Sequence, residues 1–189
     1  VYLSCVNKLV GALLFCAGLF FILTNGGTLF TGICGLKTPV KKLAWVFVLN
    51  GLGTVIPAIV SWSNVVDGAT KLGATAAAVM LGKLGMNPVS WLLNGLMCGV
   101  LMYLAGIGYK KAKDSLHGIA AVLFAIVGFI VCGFEHSIAD MGYLAIAIPN
   151  LSFWQILQCM GMILVIMLGN VFGGKLMRMV LVDWQEKDA

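Results

Sequence analysis

Residues 133–141 read Gly-Phe-Glu-His-Ser-Ile-Ala-Asp-Met and lie inside an apolar run that extends from about Ile119 to Ile148. Two carboxylates and an imidazole are expensive at bilayer depth, where ionisable side chains usually face a cavity, a pore or a partner. Irregular backbone is tolerated at that depth only where it is shielded from lipid. The stretch therefore predicts a break in a membrane-spanning helix, with function attached to the break.

The chain as a whole has the composition of a polytopic membrane protein. Of its 189 residues, 61% are hydrophobic and only 10% are charged, whereas about 25% of a soluble domain is charged. A spanning helix needs about 20 mostly apolar residues. The candidate segments are 3–24, 43–66, 86–108, the interrupted 116–148, and 152–176. Between them, residues 67–82 are rich in Gly and Ala and are predicted to form an exposed loop.

The basic residues predict the orientation of these segments. Lys and Arg follow the first, third and last segments, within residues 37–42, 110–113 and 175–187. By the positive-inside rule these three regions are cytoplasmic, so we expect a multi-pass protein of the inner (plasma) membrane with a cytoplasmic C-terminus. The first segment then enters from outside, which predicts an earlier helix absent from this sequence. A five-helix protein is the alternative.

The six cysteines are spread along the chain, and no two of them form a Cys-x-x-Cys pair. Most lie in apolar segments, where a free cysteine behaves as a small hydrophobic residue. The spacing predicts neither a disulfide framework nor a metal site. We expect no cofactor and no nucleic-acid partner.

A second break and an internal echo predict an inverted repeat. Residues 24–32 read Thr-Asn-Gly-Gly-Thr-Leu-Phe-Thr-Gly, after which apolar sequence resumes; an ordinary surface loop is the alternative reading. Asn50 precedes Gly51, and Asn170 follows Gly169 in the last segment. Within one domain, 1–189, we expect repeats at about 1–66 and 86–176. Transporters often build a midplane site from paired broken helices of this kind, and helix N-termini directed to the centre favour an anion.

The nonapeptide at 133–141 resembles the signature of the formate/nitrite transporter family, which usually ends Ala-Asn-Met, so Asp140 departs from it. Residues 29–31 and 169–174 resemble two further motifs of that family. The resemblance implies an all-α, aquaporin-like fold of six helices with two of them broken, the first helix being absent from this sequence. It also implies a homopentamer in which each protomer has its own pore for small monovalent anions, with protons as a second partner.

The same resemblance implies roles for individual residues. His136 would lie at the centre of the pore with a hydrogen bond to Thr31, and Lys83 would lie in a vestibule, although composition alone favours a lysine that snorkels to the interface. Residues with an expected structural role are Glu135, Asn50 and Asn170. Residues expected at apolar constrictions are Phe15, Leu19, Leu29, Phe30 and Phe129.

The resemblance also favours a substrate. Many formate and nitrite channels carry an acidic residue where this chain has Thr28, and many have Asn where it has Gly99; the sequence looks most like the hydrosulfide-channel branch. Formate or nitrite is the alternative. We expect His136 to donate a proton or a polarised N–H to the anion, because imidazole changes charge near neutral pH.

We expect a channel and not an enzyme. Two other classes of membrane protein are alternatives to this interpretation. A membrane anchor that holds haem needs two facing ligands, but His117 and His136 are 19 residues apart on one segment, or about 28 Å if helical. An intramembrane hydrolase would use Ser137 or Thr31 with His136. Ser137 is adjacent to the histidine, where a helical backbone directs the two side chains apart.

The interval after Thr31 is short. Half a hydrocarbon core is about 15 Å, or roughly ten helical residues, yet only five residues separate Thr31 from Lys37. We therefore predict that the natural protein has further residues between Ile33 and Pro39. The alternative is an extended strand with a poorly paired backbone.

Overall fold

The computed structural model describes residues 7–63 and 69–183, and within those ranges the chain forms helices and no strand. The first half contains α1 (Lys8–Thr24), α2 (Phe30–Ile33), α3 (Val40–Gly53), α4 (Val55–Trp62) and α5 (Ala69–Leu84). The second half contains α6 (Pro88–Lys111), α7 (Ser115–Cys132), α8 (Ser137–Ala147), a 3₁₀ turn (Ile148–Asn150), α9 (Phe153–Arg178) and a π-helical turn (Met179–Asp183).

The expected all-α polytopic class is confirmed. Among the described residues, four stretches are long and apolar enough to cross a membrane: Val40–Trp62, Pro88–Lys111, Ser115–Cys132 and Phe153–Leu181. Helix α1 is apolar but shorter, and residues 3–6 of its predicted segment lie outside the described ranges. The large hydrophobic side chains left exposed on these helices suit a surface that faces lipid or other subunits.

Residues 67–82 were wrongly predicted to be an exposed loop. Helix α5 covers most of this range and packs against α8, and its side chains of Ala76, Ala77 and Met80 are buried. Alanine is the strongest helix former, and small residues let helices approach closely in a membrane. The Gly- and Ala-rich composition therefore marks a tightly packed helix.

The helix over residues 40–62 is interrupted at Thr54. Pro57 has no N–H, and its ring clashes with the carbonyl four residues earlier, which is that of Gly53, where α3 ends. The Thr54 hydroxyl donates to the Gly51 carbonyl oxygen at 2.7 Å. The Thr54 N–H donates to the same carbonyl oxygen at 3.0 Å, so the helix tightens into a three-residue turn just before the interruption.

Both predicted helix breaks are present. Helix α7 ends at Cys132, where Gly133 takes a left-handed conformation with φ of 75°. The N–H of Phe134 then donates to the carbonyl oxygen of Phe129 at 2.9 Å, and that of Gly133 to Ile130 at 3.1 Å, which is the Schellman pattern. In the first half, Gly26 has φ of 68° after α1 ends.

Asn50 on α3 holds the first break. Its side-chain oxygen accepts from the backbone N–H of Phe30 at 2.8 Å, and its side-chain nitrogen donates to the carbonyl oxygen of Thr28 at 3.2 Å. Two backbone groups that a helix would have paired are therefore satisfied by one amide. Leu29 lies between them and precedes α2.

Asn170 on α9 holds the second break in the same way. Its side-chain oxygen accepts from the N–H of Ser137 at 3.0 Å, and its nitrogen donates to the carbonyl oxygen of Glu135 at 2.9 Å. The same nitrogen also donates to the carbonyl oxygen of Gly95 on α6 at 2.8 Å. His136 lies between the two bridged groups, as Leu29 does in the first half. The two asparagines are thus equivalent members of an internal repeat.

The connection from α2 to α3 is a pair of turns. The N–H of Leu36 donates to the Ile33 carbonyl oxygen at 3.0 Å, and that of Thr38 to Leu36 at 2.8 Å. This backbone is paired, unlike the extended strand considered above. Additional residues between Ile33 and Pro39 in the natural protein remain a prediction, which sequencing of the gene can test.

Helices α6 and α9 pack backbone to backbone through glycines four residues apart. A methyl group at Gly99 would lie 2.2 Å from the carbonyl oxygen of Asn170, and one at Gly173 would lie 1.9 Å from that of Leu96. These separations are shorter than any real contact of this kind, and the obstacles are backbone atoms. Close approach of α6 to α9 is what brings Asn170 to the break, so these glycines position the site.

We expect Gly173→Ala to destabilise the protein by about 1–3 kcal/mol, the usual cost of forcing a methylene into a packed interior. Gly161→Ala, on the same helix, is the matched control because nothing lies within 4 Å of its added methyl group. Thermal unfolding of the detergent-solubilised protein, followed by tryptophan fluorescence, measures the difference. Equal melting temperatures for the two variants would contradict this account of the packing.

Candidate functional site

The imidazole of His136 and the hydroxyl of Thr31 join the two breaks. His136 Nε2 lies 2.8 Å from Thr31 Oγ1, and the two side chains are almost completely buried, at 3% and 0% exposure. His136 lies inside the backbone segment that Asn170 bridges, and Thr31 directly follows the segment that Asn50 bridges, so the two asparagines fix their positions. The structure thus brings together the two residues expected at the centre of the pore.

The hydrogen bonds of His136 assign its tautomer. The backbone N–H of Ala139 donates to Nδ1 at 3.1 Å, so His136 caps the N-terminus of α8. A neutral imidazole has one donor nitrogen and one acceptor nitrogen, and Nδ1 is here the acceptor. Nε2 therefore carries the hydrogen and donates it to Thr31 Oγ1. The hydroxyl hydrogen of Thr31 remains available for another acceptor.

Two of the predicted constriction residues enclose the imidazole. The Phe129 ring stacks on it with centroids 5.8 Å apart, and the Phe15 ring meets it edge-on at 6.0 Å. The two phenylalanine rings are themselves 5.7 Å apart. Phe129 precedes His136 by seven residues, which is about two turns of an unbroken helix, and the turn at Gly133 shortens that separation.

The other three predicted constriction residues divide into two groups. Leu19 and Leu29 line cavities on the side of His136 that leads towards Lys110. Phe30 is 2% exposed and packs against Phe47, with ring centroids 4.9 Å apart. Its ring therefore supports the first break from behind, and its contacts do not favour a role in lining the passage.

Three cavities with shared lining residues extend past the histidine. The first, of about 570 Å³, is lined by Lys83, Phe15 and His136; the next, of about 510 Å³, shares the last two. A third, of about 200 Å³, shares Leu19 and Leu29 with the second and extends to Lys110. Lys83 precedes α6 and Lys110 lies near its end, and 24 helical residues span about 36 Å. The cavities therefore reach towards opposite ends of the protein.

Lys83 is paired with two carboxylates, contrary to the snorkelling that composition favoured. Its ammonium donates to Glu135 Oε2 and to Asp140 Oδ1, the second at 2.5 Å. It also lies 5.3 Å from the centre of the Tyr143 ring. The Trp91 indole N–H donates to the Lys83 carbonyl oxygen at 2.8 Å, which fixes the end of α5. These contacts place the lysine next to the helix break and not at the lipid surface.

Sequence reasoning missed parts of this cluster. The sequence marks Asp140 only as a departure from the family signature, and it gives no reason to single out Tyr143. The spacing of positions 136, 140 and 143 could have indicated the cluster, because residues three and four apart lie on the same face of a helix. The partner of Asp140 cannot be identified from the sequence, because residues 67–82, which precede Lys83, have the composition of a loop.

The remaining candidates lie outside this arrangement or lack its contacts. His117 is exposed and its Nδ1 lies 2.9 Å from Asp114 Oδ1 at the start of α7. Ser137 Oγ is buried without a hydrogen-bond partner among residues 7–63 and 69–183. In those same ranges no three His, Cys, Asp or Glu side chains are placed to hold a metal ion.

Comparison with known proteins agrees with this geometry. The family model described as "Formate/nitrite transporter" matches residues 3–184. The "Uncharacterized transporter YrhG" of Bacillus subtilis (strain 168) is 32% identical over 185 residues, which cover 89% of this chain and 68% of that protein.

Two solved structures have the same fold. One is described as "Pentameric formate channel with formate bound"; the TM-score is 0.80 at 24% identity, over 97% of this chain and 84% of the other. The second is described as "FNT family ion channel", with a TM-score of 0.77 at 22% identity over 96% and 78% of the two chains. The match to the family model over nearly the whole sequence, together with the identity to the Bacillus protein, shows that this chain belongs to the formate/nitrite transporter family.

Proposed function

We propose that this protein is a membrane channel for small monovalent anions and that hydrosulfide is its substrate. The observation that carries the proposal is the hydrogen bond between His136 and Thr31, 2.8 Å long and enclosed by the rings of Phe15 and Phe129. A polar donor enclosed by apolar side chains suits a small ion that must leave water for a short distance. Cavities on both sides of the pair support a passage at this place.

The energetic problem for such a passage is desolvation. Moving a bare anion between apolar side chains costs many kcal/mol unless donors or a proton compensate the charge. Because His136 Nε2 donates to Thr31, the hydroxyl hydrogen of Thr31 is the donor that the pair can turn to an anion. Both imidazole nitrogens are engaged, which favours a polarised hydrogen bond over direct proton release by His136.

Two features favour hydrosulfide. Its conjugate acid is small and neutral, and it forms near neutral pH, so proton transfer can remove the charge cheaply. Thr28 occupies the position at which many formate and nitrite members of the family carry an acidic residue. The 200 Å³ cavity that Thr28 lines has Lys110 as its charged lining residue. Formate or nitrite is the alternative substrate, given the family and the formate bound to a solved protein of the same fold.

The hydrogen bonds argue against a hydrolase. A general base would need a free imidazole nitrogen to take the proton of Thr31 or Ser137. Nε2 carries a hydrogen, and Nδ1 already accepts from Ala139. A transport role requires neither proton abstraction nor a nucleophile, so the same geometry suits a channel.

We expect a homopentamer in the inner (plasma) membrane with a cytoplasmic C-terminus. The described fold shares its architecture with a solved pentameric formate channel. Gly35 lies against Gly174, and Leu36 and Lys110 line one cavity, so the neighbourhoods of Lys37, Lys110 and Lys175 are close together, which supports one common side of the membrane for them. Native mass spectrometry in detergent should give the mass of five copies.

Fusions to the C-terminus test the orientation. A C-terminal fusion to green fluorescent protein should be fluorescent, whereas a C-terminal fusion to alkaline phosphatase should be inactive; the opposite pattern would reverse the orientation.

Stopped-flow uptake into proteoliposomes tests the substrate. We expect hydrosulfide to enter faster than formate or nitrite, and chloride to enter slowest, because chloride has no weak conjugate acid at neutral pH. Protein-free liposomes are needed in each series, since a neutral acid also crosses lipid by itself. Equal rates for all four anions, or rates equal to those without protein, would contradict the proposal.

Variants of His136 separate its two hydrogen bonds. His136→Asn should keep a side-chain oxygen that caps α8 but is too short to reach Thr31, whereas His136→Phe should lose both bonds. We expect both variants to lose selective anion uptake and only His136→Phe to lose thermal stability through the missing cap. Unchanged uptake in the Asn variant would refute a role for the His136–Thr31 pair.

Thr31 provides the matched pair for that measurement. Thr31→Ser keeps the hydroxyl and should retain most of the flux, whereas Thr31→Val has nearly the same shape and lacks the donor. The loss for the Val variant should be roughly 2- to 12-fold, corresponding to about 0.5–1.5 kcal/mol for one hydrogen bond.

A further inference from the structure

Lys83, Glu135 and Asp140 form a cluster with one carboxylate in excess. The ammonium contacts both carboxyl groups, whose side chains are 6% and 1% exposed. With all three groups ionised, the cluster would carry a net charge of −1 beside the helix break. A buried charge that is not balanced costs several kcal/mol, so such a site tends to take up a compensating ion.

The oxygen atoms of the cluster are not all satisfied. Asp140 Oδ2 is buried and has no hydrogen-bond partner among the described residues, and Asp140 also lines the 570 Å³ cavity. Glu135 Oε2 and Asp140 Oδ1 both lie within hydrogen-bond distance of the same Lys83 nitrogen, so the two carboxyl groups are next to each other. Ionised carboxylates only accept hydrogen bonds, so a bond between these two requires a hydrogen on one of them.

We propose that Lys83, Glu135 and Asp140 form a proton-binding site that holds one exchangeable proton, shared by the two carboxyl groups, at the vestibule end of the passage. The proton gives the unpartnered Asp140 oxygen a hydrogen bond and leaves the cluster with one ammonium, one carboxylate and one neutral carboxyl group. The net charge is then zero. Pairs of carboxyl groups that share a site commonly keep one proton because both cannot ionise at low cost.

The surrounding groups leave this assignment intact. Besides its three members, the described residues around the cluster present one exposed lysine, one imidazole, one phenol and two thiols. These are Lys8 on α1, Cys98 on α6, His136 at the break, Tyr143 on α8 and Cys159 on α9. Lys8 is exposed at the rim of the cavity, where its charge is screened by solvent.

The site deepens the proposed function, and this step rests on it. An anion that enters the cavity meets a neutral cluster and is not repelled. Transfer of the shared proton to the anion breaks the carboxyl O–H bond and forms the conjugate acid, leaving two carboxylates and the ammonium. The neutral acid then passes the place where the side chains of Phe15 and Phe129 enclose His136. A proton from the vestibule water restores the cluster. The proton source is thus the cluster, whereas His136 and Thr31 supply the hydrogen bond.

Infrared spectroscopy of the purified, substrate-free protein tests the proton site directly. The carbonyl stretch of a protonated carboxyl group should be present at neutral pH and should disappear at higher pH, in a series from about pH 4 to about pH 9. Loss of that band near pH 4, where ordinary carboxyl groups ionise, would overturn the proposal. A sodium ion bound in place of the proton would give the same negative result, because both carboxylates would then be ionised.

Two variants and a control assign the band. Asp140→Asn and Glu135→Gln each leave one carboxylate for one ammonium, so each should abolish the band at neutral pH. Asp114→Asn, which changes the exposed carboxylate that precedes α7 and keeps a side-chain oxygen there, should leave the band unchanged. A band that survives in either cluster variant would assign the proton elsewhere and overturn a shared site. Should a variant fail to assemble, the pH series of the unmodified protein decides alone.

Formate uptake measures the consequence for transport. At each pH, the formate uptake rate of the Asp140→Asn variant is divided by that of the unmodified protein. This ratio cancels the effect of pH on formate itself, which is the same for both proteins. That ratio should rise as pH increases, because only the unmodified cluster becomes negative. A ratio independent of pH would overturn the coupling. Absence of both formate and hydrosulfide uptake in the two proteins would instead count against the proposed function, and the infrared result would still decide the proton site.

Discussion

An interrupted helix inside a bilayer leaves backbone groups that water cannot reach, and each unpaired group costs several kcal/mol. In this protein the amides of Asn50 and Asn170 meet that constraint. Each accepts from one backbone N–H and donates to the carbonyl oxygen two residues earlier. Substitution of either asparagine by an apolar residue would therefore orphan backbone groups on both sides of a break. The rest of the site depends on this arrangement.

The internal repeat makes the two breaks equivalent in backbone and different in chemistry. The residue held between the bridged groups is Leu29 in the first half and His136 in the second. One repeat thus contributes an apolar side chain and the other a polar one. Thr31, two residues after Leu29, completes the polar pair at 2.8 Å. Close contact between Gly99 and Asn170, which leaves no room for a side chain, links this centre to the packing of α6 on α9.

Much of this arrangement could be predicted because its signals are local. Polar residues at 133–141 within an apolar run predict a break in the helix. Asparagine next to glycine, at positions 50–51 and 169–170, predicts the repeat. The helical character of 67–82 could not be predicted in the same way, because Gly and Ala suit both loops and tight helix packing. Lys83 and Asp140 are 57 residues apart in the sequence, so their pairing depends on the packing of α5 against α8. The position of Phe30 against Phe47 likewise follows from the tertiary structure.

In a passage for anions, the cluster sets the fixed charge that an entering ion meets. An uncompensated lysine would hold an anion more strongly, and an uncompensated carboxylate would repel it; conduction requires binding that is favourable and weak. Lys83 with a single carboxylate would be neutral and could supply no proton. The additional carboxylate of Asp140 makes the number of charges adjustable by one proton, and its burial makes that proton part of the stable state. The charge of the vestibule then follows the acidity of the adjoining water, which is also the quantity that determines how much of a weak acid is in its neutral form.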